Sequence, residues 1–172
     1  MLTRLRIQGL GLALLVALID RSVKALMIGP LALRERGLIE LLPFFDLRYA
    51  ENLGVSFGMF SATSPQMRLG LIAITALIAT GVLIWLLRET ARAEIFGLAL
   101  ILGGALGNIY DRVVFGYVID YADLNIGEWR PFQIFNLADA AITFGVLILL
   151  ARSFKSGEKP DETGDDTATE NA

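Results

Sequence analysis

The sequence predicts an all-α membrane protein with four transmembrane helices. Of its 172 residues, 55% are hydrophobic and 19% charged, and the mean hydropathy is +0.59. Those values suit a polytopic membrane protein better than a soluble domain. Four segments approach the roughly 20 mainly apolar residues that a span requires, at about 7–28, 67–87, 95–114 and 134–151. They belong to a single membrane unit over residues 1–152, and residues 153–172 read as a disordered acidic tail.

The first segment runs GLGLALLVALI and then meets Asp20, Arg21 and Lys24. Arg4 and Arg6 before it imitate the start of a signal peptide, but no A-x-A-like cleavage site follows and Lys24 does, so a retained span is expected. In the loop at about 29–66, aromatic and alternating residues over 43–49 suggest short strands, and Asn52-Leu53-Gly54 reads as a turn. Phe44, Phe45, Phe57 and Phe60, with Trp129 in the later loop at about 115–133, fit an aromatic belt at the membrane surface. The second span is free of charge from Leu69 onward. The third stays apolar until Asn108, Asp111 and Arg112, and its Gly103 and Gly107 form a G-x-x-x-G suited to close helix packing. The fourth opens with Asn136 and Asp139.

Several chemistries are excluded at once. The chain has no cysteine and no histidine, which removes disulfides, thiolate sites, the usual general base and the commonest metal ligand. No cofactor or metal is therefore expected. A net charge of −3 argues against a nucleic-acid partner. Four spans return both termini to one side. Lys and Arg are almost balanced across the membrane, but Arg88, Arg92 and the arginines flanking the termini favour cytoplasmic termini. Alternation then carries Asp20, Asp111 and Asp139, with both long loops, to the opposite face. That face is the working side.

Ionisable residues inside spans are costly and read as functional by default. Asp20 and Lys24 stand at i, i+4 and face one another for pairing. Asn108, Asp111 and Arg112 share a second facet, and Asn136 with Asp139 a third, which equally fits a capping box. Asp120, in VIDYADL, has apolar and aromatic neighbours. Two buried carboxylates close together tend to share one proton, a state that hydrolyses peptides without Ser, His or metal. Asp20, Asp111, Asp120, Asp123 and Asp139 are all candidates, and their positions alone do not select two.

Taken together, D20-R-S-V-K24, N52-L-G54-V-S-F57-G58, G103-G-A-L-G-N108-I-Y-D111-R112 with V118-I-D120, and F135-N-L-A-D139 resemble the lipoprotein signal peptidases, bacterial signal peptidase II. The resemblance extends from the first span to the fourth. It implies four transmembrane helices with a small extracytoplasmic β-cradle and a short loop helix. It implies cleavage of a prolipoprotein before its diacylglyceryl-modified cysteine, near the outer surface of the cytoplasmic membrane, by a monomer in contact with membrane lipid. The resemblance makes Asp120 and Asp139 the catalytic dyad. Asp20, Lys24, Asn52, Gly54, Asn108, Asp111, Arg112, Asn136 and Ala138 would bind substrate or support the dyad. The chain departs from the family pattern at Val55 and Ser56, where two Ala are common, and at Arg21, where Gln is frequent.

The alternative from another class is a small proton- or cation-conducting membrane protein. A conduit needs polar residues in both halves of the membrane, whereas the termini-side half of each span is apolar. A presenilin-type pair would need a G-x-G-D motif after Tyr110-Asp111, and none follows. A purely structural four-helix protein would leave the buried ions unexplained.

Overall fold

The computed structural model describes residues 2–54, 65–127 and 129–156. Four long helices, α1 (Arg4–Ile28), α3 (Pro65–Arg88), α4 (Arg92–Val114) and α5 (Leu137–Ser156), form a bundle. A short helix α2 (Leu33–Arg36) and strands β1 (Leu38–Leu42), β2 (Phe45–Asn52) and β3 (Val118–Leu124) gather at one end of it. The strands make one antiparallel sheet in the order β1-β2-β3. The bundle therefore has a sheet end and, opposite it, an end carrying the α3–α4 turn.

Helix α4 packs against all three other long helices, and its small residues are the reason. A Cβ added at Gly103 would lie 2.6 Å from the Ala13 carbonyl oxygen of α1, and one at Gly107 2.6 Å from Asp20 Oδ2. On the α5 side, Gly97 and Gly145 stack so that a Cβ on Gly97 would lie 3.0 Å from the Gly145 carbonyl. Lipid tails are as apolar as leucine, so helices gain little by hiding side chains from them and associate through such close contact. Ala13, Ala79, Leu86, Leu98, Ala99 and Leu102 form a buried apolar cluster where α1, α3 and α4 meet.

Among the described residues, three helices are long and apolar enough to cross a membrane: α3, α4, and α5 over Leu137–Phe154, with mean hydropathies of 2.4, 1.5 and 1.7. Helix α1 has the length, at 25 residues, but carries Asp20, Arg21 and Lys24 within its last turns. Its start is capped by the Thr3 hydroxyl, which accepts from the Arg6 N–H. Arg6 also ties α1 to the far turn by donating to the carbonyls of Glu89 (2.9 Å) and Arg88 (3.0 Å).

The strands expected over 43–49 divide around a turn at Pro43 and Phe44, with β1 before it and β2 after it. Phe44 and Trp129 are exposed, whereas Phe45, expected in the same belt, packs against the cluster of Leu47, Tyr121 and Met27. Phe57 and Phe60 lie outside the described residues. Helix α5 starts at Leu137, three residues after the apolar segment begins at 134, because Phe135 pairs with Ala122 of β3. It continues to Ser156, through the first residues of the segment read as tail; residues 157–172 lie outside the described ones.

Candidate active site

At the sheet end, four elements bring polar groups together around one buried lysine. Lys24 of α1 is fully buried, and its Nζ lies 2.8 Å from Asp20 Oδ2, 2.8 Å from Asp111 Oδ2 of α4, and 3.2 Å from Asn108 Oδ1. The i, i+4 pair expected in α1 is thus formed, and a second acid from α4 shares its cation. Each acid spends another oxygen or lone pair on backbone. Asp20 Oδ1 accepts the Ala138 N–H of α5 at 3.0 Å, and Asp111 Oδ2 accepts the Ile119 N–H of β3 at 3.2 Å. One ammonium thereby anchors the start of α5 and the strand that carries Asp120.

The asparagines are oriented by what surrounds them. Lysine has only donors, so Asn108 turns its oxygen to Lys24 and its amide N–H to Asp139 Oδ1, 2.8 Å away. Asn136 accepts the Asp139 N–H at 2.9 Å, which turns its Nδ2 toward Asp120 Oδ1 at 2.6 Å. Asn52 accepts the Gly54 N–H at 2.8 Å, which turns its Nδ2 toward Asp120 Oδ2 at 3.0 Å. Gly54 closes this turn at φ +91°, a backbone conformation open to glycine, and a Cβ there would strike Leu71. Three amides therefore aim donors at two carboxylates.

Asn136 and Asp139 also form the capping box that their spacing suggested. The Asn136 N–H donates back to Asp139 Oδ2 at 3.3 Å, and Asn136 immediately precedes α5. The cap and the cluster are the same residues. Asn136 bridges the two acids, donating to Asp120 through its amide and exchanging bonds with Asp139 through its backbone and side chain.

The five acids left open by their positions separate by partner. Asp20 and Asp111 are paired with Lys24. Asp123 is fully buried but held by Arg130 Nε at 2.9 Å and Arg48 Nε at 3.1 Å, outside the cluster. Asp120 and Asp139 have no ion pair among the described residues, only amide and backbone donors. Burial, and after it the charge of Asp139, push the Asp120 carboxyl up to about 7 against the bonds from Asn52 and Asn136. Among the described residues no group of acids has the arrangement of a metal site.

Of the expected site residues, Asp20, Lys24, Asn52, Asn108, Asp111, Asp120, Asn136 and Asp139 fall within this one network, with Ala138 and Gly54 entering through their backbone N–H groups. Arg112 borders it, donating to the Asn108 carbonyl at 3.4 Å, and does not pair with Asp111. Val55, Ser56, Phe57 and Gly58 lie outside the described residues. One contributor escaped sequence reading: the Tyr121 hydroxyl accepts the Leu137 N–H at 3.2 Å and helps seat α5. Burial pushes this phenol up to about 12, so it stays neutral. Its only signal was an aromatic residue directly after Asp120.

A family model described as signal peptidase (SPase) II matches residues 12–155. The lipoprotein signal peptidase of Rhizorhabdus wittichii is 54% identical over 145 residues, 84% of each chain. That of Sphingopyxis alaskensis is 52% identical over 151 residues, 88% of this chain and 87% of that one. A bacterial membrane enzyme solved by the in meso method at 2.3 Å resolution superposes with a TM-score of 0.76 at 25% identity, covering 92% of this chain and 94% of that one.

Proposed function

This chain belongs to the signal peptidase II family, and on that premise we propose that it removes signal peptides from bacterial prolipoproteins as a membrane aspartyl endopeptidase with Asp120 and Asp139 as its dyad. The observation that carries the assignment is the sorting of the acids: every other candidate carboxylate is ion-paired with a lysine or arginine, and these two face only amide and backbone donors.

The chemistry follows from the two environments. Burial and the Asp139 charge push the Asp120 carboxyl up to about 7, so a substantial fraction of the protein carries its proton at neutral pH. The Asp139 carboxylate, steadied by Asn108, takes a proton from a water whose oxygen attacks the scissile carbonyl. Asp120 gives its proton to the carbonyl oxygen; as the tetrahedral intermediate collapses, Asp139 passes the water proton to the leaving amine and Asp120 takes a proton back from a hydroxyl of the new carboxyl group. Lys24 stays clear of the reaction and holds α1, α4, β3 and α5 in register.

The bond cut is the one before the diacylglyceryl-modified cysteine. Helix α1 is the fourth span. Its Asp20 and Lys24 are paired and hidden from lipid, which removes the main cost of carrying them into the membrane. Both termini are then cytoplasmic, the sheet lies at the extracytoplasmic surface, and a monomer holds the complete cluster. Among the described residues, every buried polar or charged residue lies at the sheet end, which favours a peptidase over a conduit. The test is cleavage of lipidated and unlipidated prolipoprotein by the wild type and by Asp120→Asn and Asp139→Asn in detergent. Both variants are expected to lose turnover by several orders of magnitude while folding normally, with the lipidated substrate preferred by the wild type. Full cleavage by either folded variant would overturn the dyad.

A further inference from the structure

Away from the dyad, α1, α3 and α4 enclose an apolar groove of about 420 Å³, whose lining includes Leu10, Leu14, Ala79, Thr80, Leu106 and Ile109. Leu106 stands two residues from both Gly104 and Asn108, so it faces roughly the opposite side of α4 from the contacts with α5 and Asp139. Beyond the groove, toward the sheet end, stands a guanidinium. Arg21 lies seven residues beyond Leu14, two turns and about 10 Å further along the same face of α1. Its Cζ is 5.0 Å from the Tyr110 ring centroid and 5.5 Å from that of Phe115, and Tyr110 directly follows Ile109 of the groove.

Arg21 has no acid partner among the described residues, and its Nη1 is buried without a hydrogen-bond partner. A second cation borders the same corner: a Cβ on Gly116, next to Phe115, would collide with the guanidinium of Arg68. An apolar slot for a hydrocarbon chain thus leads to a stacked, unsatisfied guanidinium with another arginine near it. Guanidinium stacked on aromatic faces binds phosphate through paired N–H groups, and basic pockets between spans take lipid head groups.

We propose that this groove is a phospholipid site: one acyl chain lies between α1 and α3, and the phosphodiester is bound by Arg21 with Arg68 beside it. Its placement in the outer leaflet rests on the topology proposed above; the site itself does not. None of the groove's lining residues belongs to the polar cluster, and Leu106 faces away from Asp139, so the occupant is a bilayer lipid and not the substrate.

The test is lipid retention by the full-length protein in detergent, read by native mass spectrometry with phosphatidylglycerol, a diacylglycerol of the same chains, or inorganic phosphate. Phosphatidylglycerol is expected to be retained, and the other two to be lost at the same concentration. Arg21→Gln removes a charge-assisted contact and weakens retention about tenfold. Thr80→Phe, at an exposed lining position, fills the groove and also weakens retention. Wild-type retention by Arg21→Gln, or equal retention of diacylglycerol, would overturn the proposal. So would phosphate alone binding as tightly as the lipid, or displacement by a diacylglyceryl peptide. None of these readouts requires cleavage, so their failure leaves the peptidase reading standing, and Arg21→Gln is expected to cleave at the wild-type rate in detergent.

Discussion

Replacing Asp120 with asparagine keeps the shape of the side chain and removes a buried charge, so its effect on stability should depend on pH. In the folded protein the Asp120 carboxyl is pushed from 3.8 up to about 7 by burial and the nearby Asp139 charge. Between those values the folded state holds a proton that the unfolded chain has released. Stability from this group is therefore fully present below about pH 4 and is lost as pH rises to about 7. At 1.36 kcal/mol per unit, a rise of about 3 units corresponds to about 4 kcal/mol. Asparagine resembles the protonated acid in shape and hydrogen-bonding character, so the variant escapes the loss. Thermal unfolding in detergent should show wild type and Asp120→Asn melting together near pH 4. By pH 8 the variant should melt higher, on the order of 10 °C for a chain of this size. The same proton is needed for cleavage, so wild-type turnover should fall as pH rises through about 7. A melting difference that stays flat from pH 4 to pH 8 would refute the reasoning, because Asp120 would then carry no burial penalty.

Other substitutions probe the supports. Lys24→Met leaves the carboxylates of Asp20 and Asp111 buried without their cation, and should cost about 3–5 kcal/mol, measurable as a lower melting temperature together with lost cleavage. Gly107→Ala places a methyl 2.6 Å from Asp20 Oδ2; the overpacking should cost about 1–3 kcal/mol and lower the turnover rate by displacing the anchor of α5. Asp123→Asn weakens the hold on Arg48 and Arg130. A loss of about 1–3 kcal/mol is expected, with cleavage retained at a tenth of the wild-type rate or better, in contrast to the dyad variants.

Much of this arrangement was legible in the linear chain because it rests on local spacing. The i, i+4 separation of Asp20 and Lys24 predicts an ion pair, and the pair forms. Asn136 and Asp139 carry a capping signature and make the reciprocal bonds it describes. Asn52-Leu53-Gly54 reads as a turn, and Gly54 adopts the positive φ such a turn calls for. The acids of three helices gather at one end because successive helices reverse direction, a consequence of topology that needs only the order of apolar segments. Strand β3 was not legible as a strand. Residues from Val118 to Asp123 are buried on both faces, so the alternation that marks a half-buried strand is absent.

The sequence by itself determined which residues are polar within apolar helices, which of them share a helix face, and which end of the bundle they reach. Those properties follow from spacing and chain reversal. Only the tertiary structure decided which of five acids stay free of cations. Lys24 selects Asp111 because the glycines of α4 let α1 approach closely enough for one ammonium to touch acids from both helices. Arg48 and Arg130 remove Asp123 because strand pairing and the following loop bring them to it. Asp120 and Asp139 are left with amide and backbone donors by contacts between residues far apart in the chain, which no local pattern encodes.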